Sequence, residues 1–109
     1  MAHDEGLAVR LTDAYAHIAG ALEKKMFGGL AIMVNGHMSC GVNKDKLMVR
    51  VGPEQYEELL KLPHAQEMDF TGKPLRGFIY VSPEGIESDE ELNWWVQRSL
   101  DFVLSLPPK

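Results

Sequence analysis

Apolar residues recur at helical spacing near the start of the chain. Leu7, Leu11, Ala14, Tyr15, Ile18 and Leu22 share one face of a helix predicted over residues 5–22, with Asp4 placed to cap it. The period then shortens to that of a strand. Leu30 to Val34 reads as one strand and His37 to Val42 as the next. Asn35-Gly36 lies between them, the pair that best accepts the left-handed angles of a two-residue hairpin turn. Asn43-Lys44-Asp45 marks a further turn, and Lys46 to Val51 forms a third strand.

Gly52-Pro53 opens a short helix, with proline in the first turn where its missing N–H costs nothing, and Pro63 closes it after Leu62. Glu67 to Phe70 and Leu75 to Val81 read as a second hairpin around Thr71-Gly72-Lys73-Pro74. Ser88 and Glu91 have capping-box spacing, and a last helix follows from Asp89 to about Ser105. The resulting order is α-β-β-β-α-β-β-α. It predicts a two-layer α+β fold in which one antiparallel-rich, five-stranded sheet carries helices on one face. Residues 1–109 read as a single domain without repeats or an internal linker.

A regular ladder from the Asn35-Gly36 turn sets Val34 against His37, Met33 against Met38 and Ala31 against Cys40. Alternation then puts Ala31, Met33, Met38, Cys40 and Val42 on one face, with Leu47, Val49 and Val51 joining them under the helices. The opposite face should carry Leu30, Ile32, Val34, His37, Ser39, Met48 and Arg50. In the last strand the aliphatic set Leu75, Ile79 and Val81 suits the core, which leaves Arg76, Phe78 and Tyr80 outward. A solvent-facing sheet is normally polar. This one is apolar and aromatic with two arginines, so it is read as covered by loops or the first helix, as a homodimer interface, or as a small-ligand site. Ile32, Val34, Met48, Arg76, Phe78 and Tyr80 are the interface candidates there.

Composition narrows the function class. Sixteen acidic residues against 11 basic ones give a net charge of −5, and the bases are scattered. Direct nucleic-acid binding, which needs a basic face, is not expected. Cys40 is the only cysteine, which fits a reducing compartment. The N-terminus lacks a signal-peptide pattern, and no apolar run reaches the roughly 20 residues that span a bilayer. A cytoplasmic protein with no membrane partner is the expectation.

Few residues invite chemistry. Lys24 through Gly29 resembles an anion loop only superficially, because its glycines lead into a strand and not a helix N-terminus. Gly28 and Gly29 are read as conformational, with Lys25, Gly28, Gly29 and Arg50 kept as candidates for a small anionic metabolite. Cys40 and His37 fall on opposite faces of a strand and cannot act as a pair, and a thiol under the helices is packing. The histidines lack zinc-ligand spacing. Trp94 and Trp95 point about 100° apart on a helix. Trp95 joins the stripe of Leu92, Val96, Ser99 and Val103, and Trp94 turns toward Arg98 and Asp101 as a candidate contact anchor. No enzyme, cofactor or metal is expected.

The blocks MFGGLAIMVNGHMSCGV, LMVRVGPEQYEELL, MDFTGKPLRGFIYV and SLPPK, in this order and spacing, resemble the TfoX N-terminal domain family from about Glu23 to Lys109. The family pattern falls on Met26, Phe27, Gly28, Gly29, Arg50, Gly52 and Phe70. The resemblance implies a stand-alone member, lacking the C-terminal domain of the bacterial competence regulator for which the family is named. It also implies a fold like that of secretion chaperones, in which dimers are frequent, and it brings no catalytic residues. A non-enzymatic regulatory or protein-interaction module follows, working as a homodimer or with a protein partner.

Overall fold

The structure, a computed structural model, describes residues 5–26, 29–69 and 74–107. Its elements are α1 (Glu5–Ala14), β1 (Ala21–Met26), β2 (Gly29–Val34), β3 (His37–Asn43), β4 (Lys46–Arg50), α2 (Gly52–Leu60), β5 (Ala65–Asp69), β6 (Pro74–Val81) and α3 (Asp89–Val103), with a 3-10 turn at Pro83–Gly85. The strands form one antiparallel sheet in the order β1-β2-β3-β4-β6-β5. The α+β class stands, with three α-helices among the described residues. The Asp4 cap, Phe27, Gly28 and the turn at residues 70–73 lie outside those residues.

The sheet has six strands where five were expected. The helix read over residues 5–22 ends at Ala14. Gly20 then takes φ +83°, an angle that favours glycine, and its carbonyl accepts from the Asn35 amide at 3.2 Å. Residues 21–26 pair in register with β2, from Ala21 opposite Val34 to Met26 opposite Gly29. Leu22, which completes the helical stripe in the sequence, is 71% exposed. Pairing with a neighbour overrides a local pattern that suits a helix equally well.

A second departure sits in the central hairpin. Asn35 and Gly36 take φ +54° and +87°, as the turn requires, and Val34 opposes His37 and Met33 opposes Met38. The register then shifts: Ile32, not Ala31, opposes Cys40, and Ser39 is left without a partner of its own. One inserted residue inverts the face of everything beyond it. Ile32 and Val34 therefore point under the helices, 1% and 0% exposed, and join the core with Cys40, Val42, Leu47, Val49, Ile79 and Val81. Ala31, Met33 and Met38 turn to the open face instead. The assignments of β4 and β6 hold: Leu47 and Val49 lie inward, and Met48 and Arg50 lie opposite Tyr80 and Phe78 on the outer side.

All three helices cover the inner face. Leu7 and Leu11 of α1, Tyr56 and Leu59 of α2, and Leu92, Trp95, Val96, Leu100 and Val103 of α3 complete the core. Arg10 ties α1 to the start of α3, donating to the Ile86 carbonyl at 2.8 Å and to the Asp89 carboxylate at 3.2 Å. Gln55 ties α2 to α3 through the Arg98 carbonyl at 3.1 Å. His37 Nε2 shares a 2.7 Å hydrogen bond with the Pro107 carbonyl, which fastens the C-terminal segment to the sheet.

Candidate functional site

The bulge also builds a buried polar network. Ser39 is turned inward between α1 and α3, where it meets Tyr15 at 2.6 Å and Ser99 at 2.7 Å. The Ser99 hydroxyl donates to the Ser39 carbonyl at 2.9 Å. Each hydroxyl has a single proton. The chain of donors therefore runs from Tyr15 to Ser39 to Ser99 to the Ser39 backbone, and every member is satisfied. Burial pushes the Tyr15 hydroxyl well above its ordinary value and pushes the neighbouring Cys40 thiol up to about 11. A fully buried, protonated thiol is a packing group and not a nucleophile at neutral pH.

The opposite side of the sheet is a different kind of surface. From β1 to β5 its described side chains are Leu22 and Lys24, Ala31 and Met33, Met38, Asn43, Lys46, Met48 and Arg50, Phe78 and Tyr80, and Gln66. Met48 folds over Gly41, where an added Cβ would lie only 2.5 Å from its methyl group. Met33, Met38, Arg50, Phe78 and Tyr80 are half-buried, and Met48 is buried. Lys46 sits over the Tyr80 ring at 5.5 Å, and the Tyr80 hydroxyl accepts from Asn43 at 2.8 Å. Arg50 lies between two rings, 5.6 Å from Phe78 and 5.5 Å from Phe102 of α3. Apart from Phe102 beside Arg50, no helix among the described residues covers this face.

The TfoX N-terminal domain family model matches residues 13–103. The chain belongs to that family. The match begins inside α1 and ends on the last residue of α3, so the TfoX N-terminal domain contains the whole sheet and its open face. At the family level this points to a regulatory or interaction module. No curated protein matches the chain.

The remaining sequence-derived candidates separate. Lys25 pairs with Leu30 and projects on the helix side, where it lines a groove with Val9, Asp13 and Glu23. Arg50 projects on the open side, three strands away, or about 14 Å at ordinary strand spacing. The structure does not bring the two together around one anion, and the two carboxylates beside Lys25 disfavour an anion there. Gly29 has a plain structural role: a Cβ there would collide with the Val42 carbonyl across the ladder. Gly28 and the Arg76 side chain lie outside the described residues.

Of the interface candidates, Ile32 and Val34 belong to the core because of the bulge, and Met48, Phe78 and Tyr80 share the open face. Trp94 is 41% exposed but lies on α3, in the helix layer, edge-on to Trp95 with Arg98 at 4.8 Å over its ring. It lines a cleft of about 530 Å³ with Leu62, Pro63, His64 and Glu90, distinct from the open face. Sequence reasoning missed Met33 and Met38 on that face, because only the shifted ladder puts them there, and Lys24, because it also needs the unforeseen β1. Among the described residues no group of His, Cys, Asp and Glu could hold a metal ion, and no helix is long and apolar enough to cross a membrane.

Proposed function

We propose that this TfoX N-terminal domain is a non-enzymatic regulatory or protein-interaction module that docks a partner protein on the open face of its sheet. The observation that carries the reading is the makeup of that face: Met33, Met38, Phe78 and Tyr80, all half-buried, and an exposed Leu22 around a buried Met48, on a surface that in an ordinary two-layer fold is polar. Methionine side chains are flexible and polarizable, and they suit a surface that adapts to another chain. The sheet edge is a poorer docking place. β1 carries Glu23, Lys24 and Lys25 in succession, the kind of charge that discourages strand addition.

The test uses Phe78→Glu, which places a charge in the middle of the face without touching the core. Tagged wild-type chain in an extract of its own cells should elute above the 12.2 kDa of one chain, and the variant should return to that mass with its melting temperature unchanged. Wild-type chain eluting at the mass of one chain would contradict the reading.

A further inference from the structure

The docking reading leaves the occupant open between a second copy and another protein, and the charge on the face narrows it. We propose that the occupant is an acidic segment of another protein, with carboxylates alternating with apolar side chains; this rests on the docking reading above. The chain as a whole is acidic, 16 to 11. Yet the charges among the described side chains of the open face are Lys24, Lys46 and Arg50, with no carboxylate.

The strand carboxylates whose side chains are described are turned away. Glu23 accepts from Thr12 of α1 at 2.8 Å, and Glu67 accepts from Tyr56 of α2 at 3.5 Å. Asp45, in the turn between β3 and β4, lines a groove with Leu7, Arg10 and Ile86 on the helix side. Among the described side chains the open face is therefore cationic.

Arg50 has the features of an anchor. Its guanidinium is held between Phe78 and Phe102, and it makes no ion pair among the described residues. A ring-flanked guanidinium keeps its planar fork free for two parallel hydrogen bonds to one carboxylate. Lys46 lies on the same strand and the same face, about 13 Å away at ordinary strand rise. Carboxylates spaced along an extended segment can meet both, with Met33 and Met38 left for the apolar side chains between them.

The same arrangement argues against the alternatives. A second copy related by a two-fold axis would bring cations to cations, and like charges across an interface select against that partner. A nucleic-acid strand is held chiefly by a clustered basic face that neutralises its phosphates, and three separated cations on a chain of net charge −5 do not make one.

The test uses the purified full chain and three defined probes: a synthetic peptide of alternating glutamate and aromatic or aliphatic residues, its lysine-for-glutamate counterpart, and oligo-deoxythymidine. Amide shifts map the site while a titration gives affinity. The expected result is a chain that sediments at the mass of one copy and binds the glutamate peptide alone. The shifts should fall on β2, β3, β4 and β6, and affinity should fall as salt rises. Arg50→Gln should weaken it about tenfold, with Arg50→Lys in between. Equal binding of the lysine peptide or the oligonucleotide, or shifts confined to the helix layer, would overturn the inference. So would a dimer that buries Met33 and Phe78, although that outcome would leave the docking face itself standing. The docking reading fails separately, if Phe78→Glu leaves the elution in cell extract unchanged.

Discussion

Ser39 decides more about this molecule than its size suggests. As the unpaired residue of the bulge it sends its hydroxyl into the core, where it accepts from Tyr15 and donates to Ser99. Ser39→Ala should cost about 1–3 kcal/mol, because the buried Tyr15 hydroxyl loses its acceptor. Tyr15→Phe should cost about 0.5–1.5 kcal/mol. The double variant should cost less than the sum, as denaturant titration of the four proteins would show. Cys40, beside this network, should label with alkylating reagents only on unfolding. Its thiol titrates near 9.0 in a free chain and about 11 in the fold, chiefly because burial disfavours the thiolate. The folded state thus keeps its proton longer. Stability should be fully present below pH 9 and should decline as pH rises toward 11, and the Tyr15 hydroxyl, raised by the same burial, acts in the same direction. Equal stability at pH 8 and pH 10.5 would contradict this assignment. Cys40 as a packing thiol is legible in the sequence. The network is not, because nothing in HMSCGV tells a regular strand from one with an extra residue.

At the scale of elements, the legible ones carry their own signals. The Ser88 hydroxyl accepts from the Glu91 amide at 3.1 Å and the Glu91 carboxylate returns to the Ser88 amide at 3.1 Å, so α3 starts where the capping box says it does. Ser88→Ala should cost about 1 kcal/mol by thermal or denaturant unfolding. The hairpin turn at Asn35-Gly36 and the proline-started α2 were equally readable. β1 was not, since ALEKKM has no alternation and only its pairing with β2 makes it a strand. The bulge carries a sharper prediction. Deleting Ser39 would leave a regular ladder with the same partners, Met33 with Met38 and Ile32 with Cys40, so Ile32 and Val34 should stay in the core. The expected result is a cooperative melt at a lower temperature, from loss of the polar network, whereas loss of the cooperative transition would contradict the register.

On the scale of the whole molecule, two faces of one sheet divide the work. The inner face is closed by three helices and a satisfied polar network. The outer face keeps methionine, aromatic and cationic side chains open on a chain that is acidic overall. The sequence pattern identified an apolar-aromatic outer face and named Met48, Phe78 and Tyr80. It misplaced Ile32 and Val34 because face membership depends on register, and register was broken by a residue with no sequence signature. The most direct test places a photo-crosslinking amino acid at Phe78 and, as a control, at Leu104, which is 53% exposed beyond α3. Irradiation in the native cells should give a protein adduct from position 78 and none from position 104. No adduct at position 78, or equal adducts at both, would contradict the open face as the working surface of this domain.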